Sequence, residues 1–486
     1  MSAITPDGKN IDLRTVKASV WRKIGYALGD FAYNFSWYII SALLLVFYTD
    51  VFLIPAAVVS IFVMLIRLSD AVIDPLVGSL VDRTRSKWGR YRPWILFAPI
   101  VMVIAMSLTF WAHPDWSEPA KITYAIITFT IAALASTAVN MPYGALNAVV
   151  SLNTDDRLSF ASYRMVAASL GSTIVGFLVF PLIEFFSGSE GNAAQGYGAT
   201  VPLIGTVTIV LFVICFFSTK EIVQPVNAAQ PKMRQLWGSV VKNTPLKIVV
   251  IGFFLTGFIG YGRIAIMAFY FQYNVGDTGM FGIFNLVSTG ASVIGAILAP
   301  LLLKAVPSGN KAKVVIFASI VQAVFFALMF VAGTDLVWFF VFGGLAGIGS
   351  GIFIAMMFGM IPDTVEYGEV KSGIRSEGFN YAFTSLAMKW GGAAGPAALG
   401  FVLAGTGYIP NIGQSSAVLA AIAIMMTIVP AILSLATAIP FLFYKLDRKA
   451  FNGMVDEIQA RRELATDTID AEGHITVPSL VETERD

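Results

Sequence analysis

Two aspartates, Asp70 and Asp74, lie four residues apart inside the mainly apolar segment MLIRLSDAVIDPLVG. Residues at this spacing share one face of an α-helix, so two carboxylates there repel each other at low dielectric. A proton on one of them, or a hard cation held between their oxygens, relieves the repulsion, and either event can couple ion movement to transport. A static ion-pair network with Arg67 is the structural alternative.

Other ionisable residues also interrupt apolar segments, where charge is costly and therefore suggests function. These residues are Asp30, Arg164, Arg263 and Lys389. Lys389 lies midway along its segment and needs a negative partner at that depth. We expect its ammonium group to replace the coupling cation when the cation site is empty.

The segments that must position these charges are membrane helices. Of the 486 residues, 57% are hydrophobic and 13% are charged, whereas soluble proteins have about 25% charged residues. At roughly 20 residues per helix, the apolar runs predict an all-α membrane protein with twelve transmembrane helices. The predicted spans are 26–48, 57–80, 93–112, 122–149, 162–187, 200–218, 247–273, 279–303, 313–333, 336–361, 377–405 and 415–444.

The distribution of Lys and Arg predicts the orientation. These residues are concentrated in the loops after the even-numbered spans, whereas the loops after the odd-numbered spans contain only Lys121. Positively charged loops face the cytoplasm, so both termini are predicted to be cytoplasmic and the protein to lie in the plasma (inner) membrane.

A long polar stretch after the sixth span divides the chain. We predict an N-terminal six-helix bundle at 1–219, a cytoplasmic linker at 220–246, a C-terminal six-helix bundle at 247–446 and a partly disordered cytoplasmic tail at 447–486. This layout resembles that of major facilitator transporters, whose substrate site lies between the halves near the midplane. The segment GSLVDRTRSKWGR at 78–90 is similar to the loop signature of that superfamily.

Composition and motifs argue against several other functions. The net charge of +2 provides no electrostatic footprint for nucleic acid. The chain contains no G-x-x-x-x-G-K-[ST] motif, so use of ATP is not predicted. Its histidines are His113 and His474, and no Ser-His-Asp arrangement is evident, so neither an enzyme nor an organic cofactor is expected.

Several blocks of sequence resemble the glycoside–pentoside–hexuronide:cation symporter family over nearly the whole chain. The most specific are RLSDAVIDPLVG followed by RSKWGRYRPW, and DTVEYGEVKSGIRSEG; the others are GYALGDFAYNF, FYTDV, NMPYGAL and MKWGG. The resemblance implies a secondary active symporter that couples inward movement of Na⁺ or H⁺ to uptake of a sugar or glycoside by alternating access.

The resemblance also implies which residues bind the cation. The two acids of the family's cation site match Asp70 and Asp74, and the supporting hydroxyl matches Thr137. The lysine of span eleven matches Lys389. Carboxylate and hydroxyl oxygens suit Na⁺ or H⁺ better than a transition metal.

For the sugar, the family's acid in span one matches Asp30 and its arginine in span five matches Arg164. The chain departs from the pattern at three positions: Asn140 replaces a second acid, and Gly144 and Ile354 each replace a tryptophan. These differences predict a remodelled sugar pocket that is more open near Gly144.

Two more residues belong to the predicted substrate site. Tyr26 is one of several aromatic residues able to stack on a sugar ring. Arg263, together with the missing acid, favours a hexuronide or glucuronide, although it is also able to pair with another span.

Acids and bases alternate at the end of span ten, and with the loop after span two they are predicted to form ion pairs between the halves that hold one access state. The predicted gating residues are Asp82, Arg83, Asp363, Glu366 and Arg375. Two alternative functions stay open, namely transport of a non-sugar solute such as a lipid and a non-transporting membrane sensor.

Overall fold

The computed structural model describes residues 2–4, 10–12, 18–150, 154–189, 191–221, 238, 240–373 and 377–467, except for the side chains of some helical residues. The regular elements of this part of the chain are helices and one antiparallel pair of short strands, β1 (Ser2–Ile4) and β2 (Asn10–Asp12). The helices are α1 (Val20–Val46), α2 (Ala56–Arg83), α3 (Arg92–Thr109), α4 (Glu118–Val149), α5 (Thr154–Ser187), α6 (Ala193–Ser218), α7 (Thr244–Phe269), α8 (Gly279–Ala305), α9 (Lys311–Ala332), α10 (Leu336–Ser372), α11 (Glu377–Gly405), α12 (Ser416–Met426), α13 (Ile428–Phe441) and α14 (Arg448–Asp467).

The helix order confirms the predicted fold class, with α12 and α13 forming a single span that breaks at Thr427. The first helices of the two halves end alike, because α1 continues into a π-helical turn at Phe47–Val51 and α7 into one at Tyr270–Val275. The chain after span twelve begins with α14, a helix that the sequence analysis did not predict.

Among the residues described, ten helical spans are long and apolar enough to cross a membrane: α1, α3 to α10, and α12 with α13. The described residues of α2 add the shorter apolar stretch Ala56–Ser69, and α11 is less apolar than the ten. The helices α2 and α11 carry Asp74 and Lys389.

The two halves meet along three pairs of helices. Within the first half α1 packs against α5 and α6, and within the second half α7 packs against α11 and α8 against α10. Between the halves, α2 packs against α11, α5 against α8, and α1 against α7. The helices α2 and α11, which carry Asp74 and Lys389, therefore shield one another at the interface.

Close approaches between the halves lie at the end of the molecule that carries the loop between α1 and α2, hereafter the α1–α2 end. A Cβ atom on Gly400 of α11 would overlap Ser60 near the start of α2. A Cβ on Gly282, near the start of α8, would press on Phe177 of α5. Small residues at these positions allow the backbones to come together.

The loop between α2 and α3 is fixed by a carboxylate from beyond α6. Glu221 accepts hydrogen bonds from the backbone amides of Arg90, Tyr91 and Arg92 at 2.9, 2.7 and 3.0 Å. These amides belong to the exposed N-terminus of α3, where a negative charge is stabilising. Gly89 has a φ of +107°, and a side chain there would collide with Glu221.

Candidate functional site

A cavity of about 350 Å³, hereafter the coupling cavity, lies beside the contact between α2 and α11. Its polar lining includes Asp74 of α2, Thr137 and Asn140 of α4, and Lys389 of α11. The sequence-predicted residues Asp74, Thr137 and Lys389 are thus brought together from three helices that belong to both halves.

Asp74 is the centre of this group. Lys389 Nζ lies 2.5 Å from Asp74 Oδ2, and Thr137 Oγ1 donates a longer hydrogen bond of 3.3 Å to Asp74 Oδ1. The Asp74 and Lys389 side chains are 26% and 32% exposed, so both face the cavity space. The ammonium group therefore neutralises a carboxylate that a small cation in the same cavity is able to reach.

Asp70 is the other acid of the predicted pair. It lies in α2, but its side chain is outside the described residues. Arg67, one turn earlier, lines the coupling cavity, and its guanidinium lies over the ring of Trp37 with 4.4 Å between the guanidinium carbon and the ring centroid.

A larger cavity of about 480 Å³, hereafter the main cavity, lies between α1 and α5 of the first half and α7 to α10 of the second. This volume is typical of small-molecule sites. It shares lining residues with the coupling cavity, namely Asn34, Trp37, Tyr261 and Met388. A ligand in the main cavity would thus contact the walls of the ion site.

The lining of the main cavity is rich in hydroxyl groups. Several belong to α8, α9 and α10, including Ser288, Ser319 and Ser350. Phe353, Ile354 and Met388 form apolar parts of the wall, so Ile354 lies where the sequence places a substrate contact. A wall of hydroxyls beside apolar side chains matches a sugar, which has hydroxyl edges and apolar C–H faces.

Asp30 and Arg164 form a separate network inside the first half. Arg164 Nε donates to Asp30 Oδ2 at 2.8 Å, and Arg164 Nη1 donates to the Tyr26 hydroxyl at 3.4 Å. Tyr26 is fully buried and stacks on Tyr143. Within the described part of the chain, Asp30, Arg164 and Tyr26 line neither cavity.

Asn34 connects this network to the cavities. Its Nδ2 donates to the Asp30 carbonyl at 2.9 Å, and its side chain lines both cavities. The sequence analysis missed Asn34, although it lies one helical turn after Asp30. Gly144 faces open space, since a Cβ atom there would meet nothing within 4 Å.

The predicted gating residues are dispersed. Asp363 of α10 binds Lys311 of α9 at 2.7 and 2.8 Å, so its partner belongs to its own half and not to the other half as expected. Arg83 is exposed at the end of α2, and Glu366 is half-buried in α10. The Asp82 side chain and Arg375 lie outside the described residues.

A second buried carboxylate joins the halves at the α1–α2 end. Asp50, in the π-helical turn after α1, accepts hydrogen bonds from the hydroxyls of Tyr273 and Tyr408. It also accepts one from Gln272 Nε2 at 3.2 Å. Asn411 Nδ2 also donates to the Asp50 carbonyl, at 2.5 Å. The sequence analysis gave Asp50 no role, because its partners are neutral and, apart from the adjacent Thr49, distant in the chain.

The helix pairs, the charges between the halves and the two connected cavities define a secondary transporter of the major facilitator type. A family model described as MFS/sugar transport protein matches residues 25–448. The chain belongs to this family.

Known proteins agree with this assignment. An uncharacterized symporter, YnaJ of Bacillus subtilis, is 34% identical over 93% of this chain and 98% of its own length. A glucuronide carrier protein homolog of Escherichia coli is 32% identical over 91% of this chain and 96% of its own length. The predicted family and the predicted class, sugar–cation symport, are thereby confirmed.

Among solved structures, a D-xylose-proton symporter superposes with a TM-score of 0.65 and 13% sequence identity. The match covers 88% of this chain and 98% of that one. At this identity the likeness establishes the fold alone, and it agrees with the twelve-span architecture.

Proposed function

We propose that this transporter couples entry of Na⁺, bound at Asp74, to uptake of a glycoside bound in the main cavity. The observation that carries the proposal is the ion pair between Asp74 and Lys389, which joins α2 of one half to α11 of the other beside a cavity. A charge pair in this position links occupancy of the ion site to the relative position of the halves.

Lys389 acts as the resident counter-charge. A half-buried carboxylate without a positive partner is costly in a membrane. When Na⁺ enters the coupling cavity, it takes over the neutralisation of Asp74 and releases the ammonium group. Because the released lysine belongs to α11, ion binding changes the contact between the halves.

The oxygen donors favour Na⁺ over H⁺ as the coupling ion. Thr137 contributes a neutral oxygen next to Asp74, and a metal cation uses such a ligand whereas a proton does not need one. Asp70, one helical turn before Asp74 in the sequence, is included in the proposed ion site because of its spacing.

The sugar is proposed to lie in the main cavity, against the hydroxyl-bearing wall of the second half. Asn34 and Trp37, which line both cavities, place the sugar next to the ion site. Positive coupling follows if each ligand orders these shared walls for the other, and by linkage the coupling is reciprocal. Asn140 of the coupling cavity and the Asp30–Arg164 pair contribute polar groups nearby.

The orientation follows from the positive loops, with both termini in the cytoplasm. The α1–α2 end then faces outwards, and the close packing there corresponds to a state closed towards the outside. Arg83, Glu366 and Arg375, with Asp82, are proposed to pair across the halves when the cytoplasmic end closes. Asp363 would leave Lys311 to take part in that closure.

The test is uptake of labelled methyl glycosides into proteoliposomes under an imposed Na⁺ gradient or an imposed pH gradient. We expect a Na⁺ gradient to drive accumulation and Asp74→Asn to abolish that dependence. Asp335→Asn is the matched control, because Asp335 caps the N-terminus of α10 and asparagine caps equally well.

The outcomes separate the parts of the proposal. Accumulation driven only by the pH gradient would replace Na⁺ with H⁺ at the same carboxylate. If Asp74→Asn kept a normal Na⁺ dependence, Asp74 would be excluded as a ligand of the ion. Failure of both gradients with every glycoside tested would contradict glycoside symport.

A further inference from the structure

Arg263 is the one formal charge among the described residues that line the main cavity. It lies in α7, at the level of Tyr38 and Phe326, within the membrane-spanning part of the second half. The other lining groups of this cavity are hydroxyls, amides and apolar side chains. A single cation on such a wall indicates that the ligand carries a negative charge.

Three other cations of the described helices each have a carboxylate partner. Lys389 binds Asp74, Arg164 binds Asp30 and Lys311 binds Asp363. Arg263 has no carboxylate within ion-pair distance among the described residues, and its Nε is buried without a hydrogen-bond partner. The charge of Arg263 is therefore not balanced by a carboxylate of the part of the chain that the structure describes.

The contacts of Arg263 do not compensate for this charge. Its guanidinium carbon lies 4.6 Å from the centroid of the Phe326 ring. A cation–π contact attracts the guanidinium weakly compared with the penalty for a buried charge without a counter-ion. Tyr38, the nearby polar residue, uses its hydroxyl to donate to Asn285 Oδ1 at 2.7 Å.

The hydroxyls around Arg263 are suited to a sugar and not to an inorganic anion alone. Thr256, Ser319 and Ser350 donate to carbonyls of their own helices at 2.7, 2.9 and 3.0 Å. Ser319 is fully buried, but the oxygens of Thr256 and Ser350 remain as acceptors for hydroxyl groups of a ligand in the cavity. The cavity thus combines one fixed cation with a surface for neutral hydroxyls.

We propose that Arg263 binds an anionic group of the transported glycoside, and that the substrate is a sugar acid carrying a carboxylate. The planar guanidinium donates two parallel hydrogen bonds to a carboxylate, which gives both strength and orientation. This inference rests on the proposed function, because it assigns the substrate class of the same cavity. A sulfonated sugar presents the same charge with a different shape.

The experiment compares methyl β-D-glucuronide with methyl β-D-glucoside, which differ only in a carboxylate against a hydroxymethyl group. Both labelled compounds are offered to proteoliposomes containing the full chain under a Na⁺ gradient. We expect the wild type to prefer the glucuronide, and Arg263→Gln to lower glucuronide uptake by about 10- to 100-fold while glucoside uptake changes by less than about threefold.

Two further variants make the test specific. Arg263→Lys keeps the charge without the planar fork and should retain an intermediate glucuronide preference. Lys247→Gln is the matched control on α7, since it removes a positive charge from the exposed start of the same helix, away from the main cavity, and should leave the ratio of the two uptake rates unchanged.

Competition experiments on the wild type need no variant and decide the case if Arg263→Gln does not fold. Inhibition of glucuronide uptake by methyl sulfoquinovoside better than by unlabelled glucuronide would overturn the carboxylate assignment. Equal or preferred uptake of the glucoside would overturn the role of Arg263 and leave glycoside symport standing. Uptake of neither compound under either gradient would overturn both.

Discussion

Two buried carboxylates join the halves of this transporter, and their surroundings differ. Asp50 is enclosed by neutral donors, including the hydroxyls of Tyr273 and Tyr408. Asp74 is held by one ammonium group, that of Lys389, and opens onto a cavity. Asp50 is 6% exposed, whereas the Asp74 side chain is 26% exposed.

The difference separates a fixed contact from an exchangeable one. Every donor to Asp50 is part of the protein, so no ion has to arrive or leave for the carboxylate to be satisfied. Burial and the negative charge of Asp50 raise the pKa of Tyr408 well above its ordinary value, which keeps its hydroxyl protonated as a donor. At Asp74 the carboxylate is partly open to the coupling cavity, so a cation is able to compete there with Lys389.

The largest effect is expected from Lys389→Gln. Removal of the resident cation should raise Na⁺ affinity by about tenfold, a gain of about 1.4 kcal/mol, because Asp74 loses its competitor. Na⁺-driven uptake should fall by about 100-fold, since the ion is released about tenfold more slowly and its binding no longer changes the contact between the halves. Calorimetric titration with Na⁺ and uptake assays measure the two quantities, and unchanged affinity would contradict the competition between lysine and ion.

Asp50→Asn should weaken the closed α1–α2 end without altering the ion site. Loss of charge-assisted hydrogen bonds worth about 2 kcal/mol shifts the equilibrium towards opening by about 30-fold. The readout is labelling of Ser41→Cys in the main cavity by an impermeant maleimide added from outside, in a Cys215→Ala background.

Asp277→Asn is the matched control for this measurement, because Asp277 lies at the same end but binds only within its own half, to the Gly279 amide. Its labelling should equal that of the parent protein. If Asp50→Asn changed Na⁺ affinity as much as it changed labelling, the separation between the two carboxylates would fail.

Tyr408→Phe removes one donor from Asp50 and should increase the same labelling by about five- to tenfold, corresponding to about 1 to 1.4 kcal/mol. Tyr273→Phe should act similarly. The two hydroxyls also contact each other at 2.9 Å, so the effects in the double variant should not add. Additive effects would indicate that each tyrosine acts alone.

The smallest effect is expected from Thr137→Val. The hydrogen bond from Thr137 to Asp74 is long at 3.3 Å, and its loss should lower Na⁺ affinity by about three- to fivefold. Proton binding should not change, because a proton needs no second ligand. An equal loss for both ions, measured by calorimetry at different pH values, would exclude Thr137 as a Na⁺ ligand.

The sequence predicted the fold because long apolar runs and polar loops directly reflect membrane helices. Spacing indicated that Asp74 shares a helix face with Asp70, but only the family resemblance connected it with Thr137 and Lys389. Those contacts depend on tertiary packing between α2, α4 and α11, and no local sequence pattern predicts that packing.

Asp50 and Asp363 show where the sequence argument failed. The distant partners of Asp50 are neutral residues from two segments, at 272–273 and at 408, so no charge pattern revealed them. For Asp363, alternating charges suggested a partner in the other half, whereas helix packing brings Lys311 of α9 beside it. Charge patterns identify which residues need partners but not which partners they find.

The charged residues of α2 bear on how the protein is made. A helix that carries aspartates enters lipid reluctantly by itself, and α2 leaves the ribosome long before the lysine of α11 is synthesised. Until α11 arrives, α2 depends on its neighbours in the first half or on the insertion machinery. Truncation before α11 should therefore leave α2 incompletely inserted, so that correct assembly of the first half is completed only by the second.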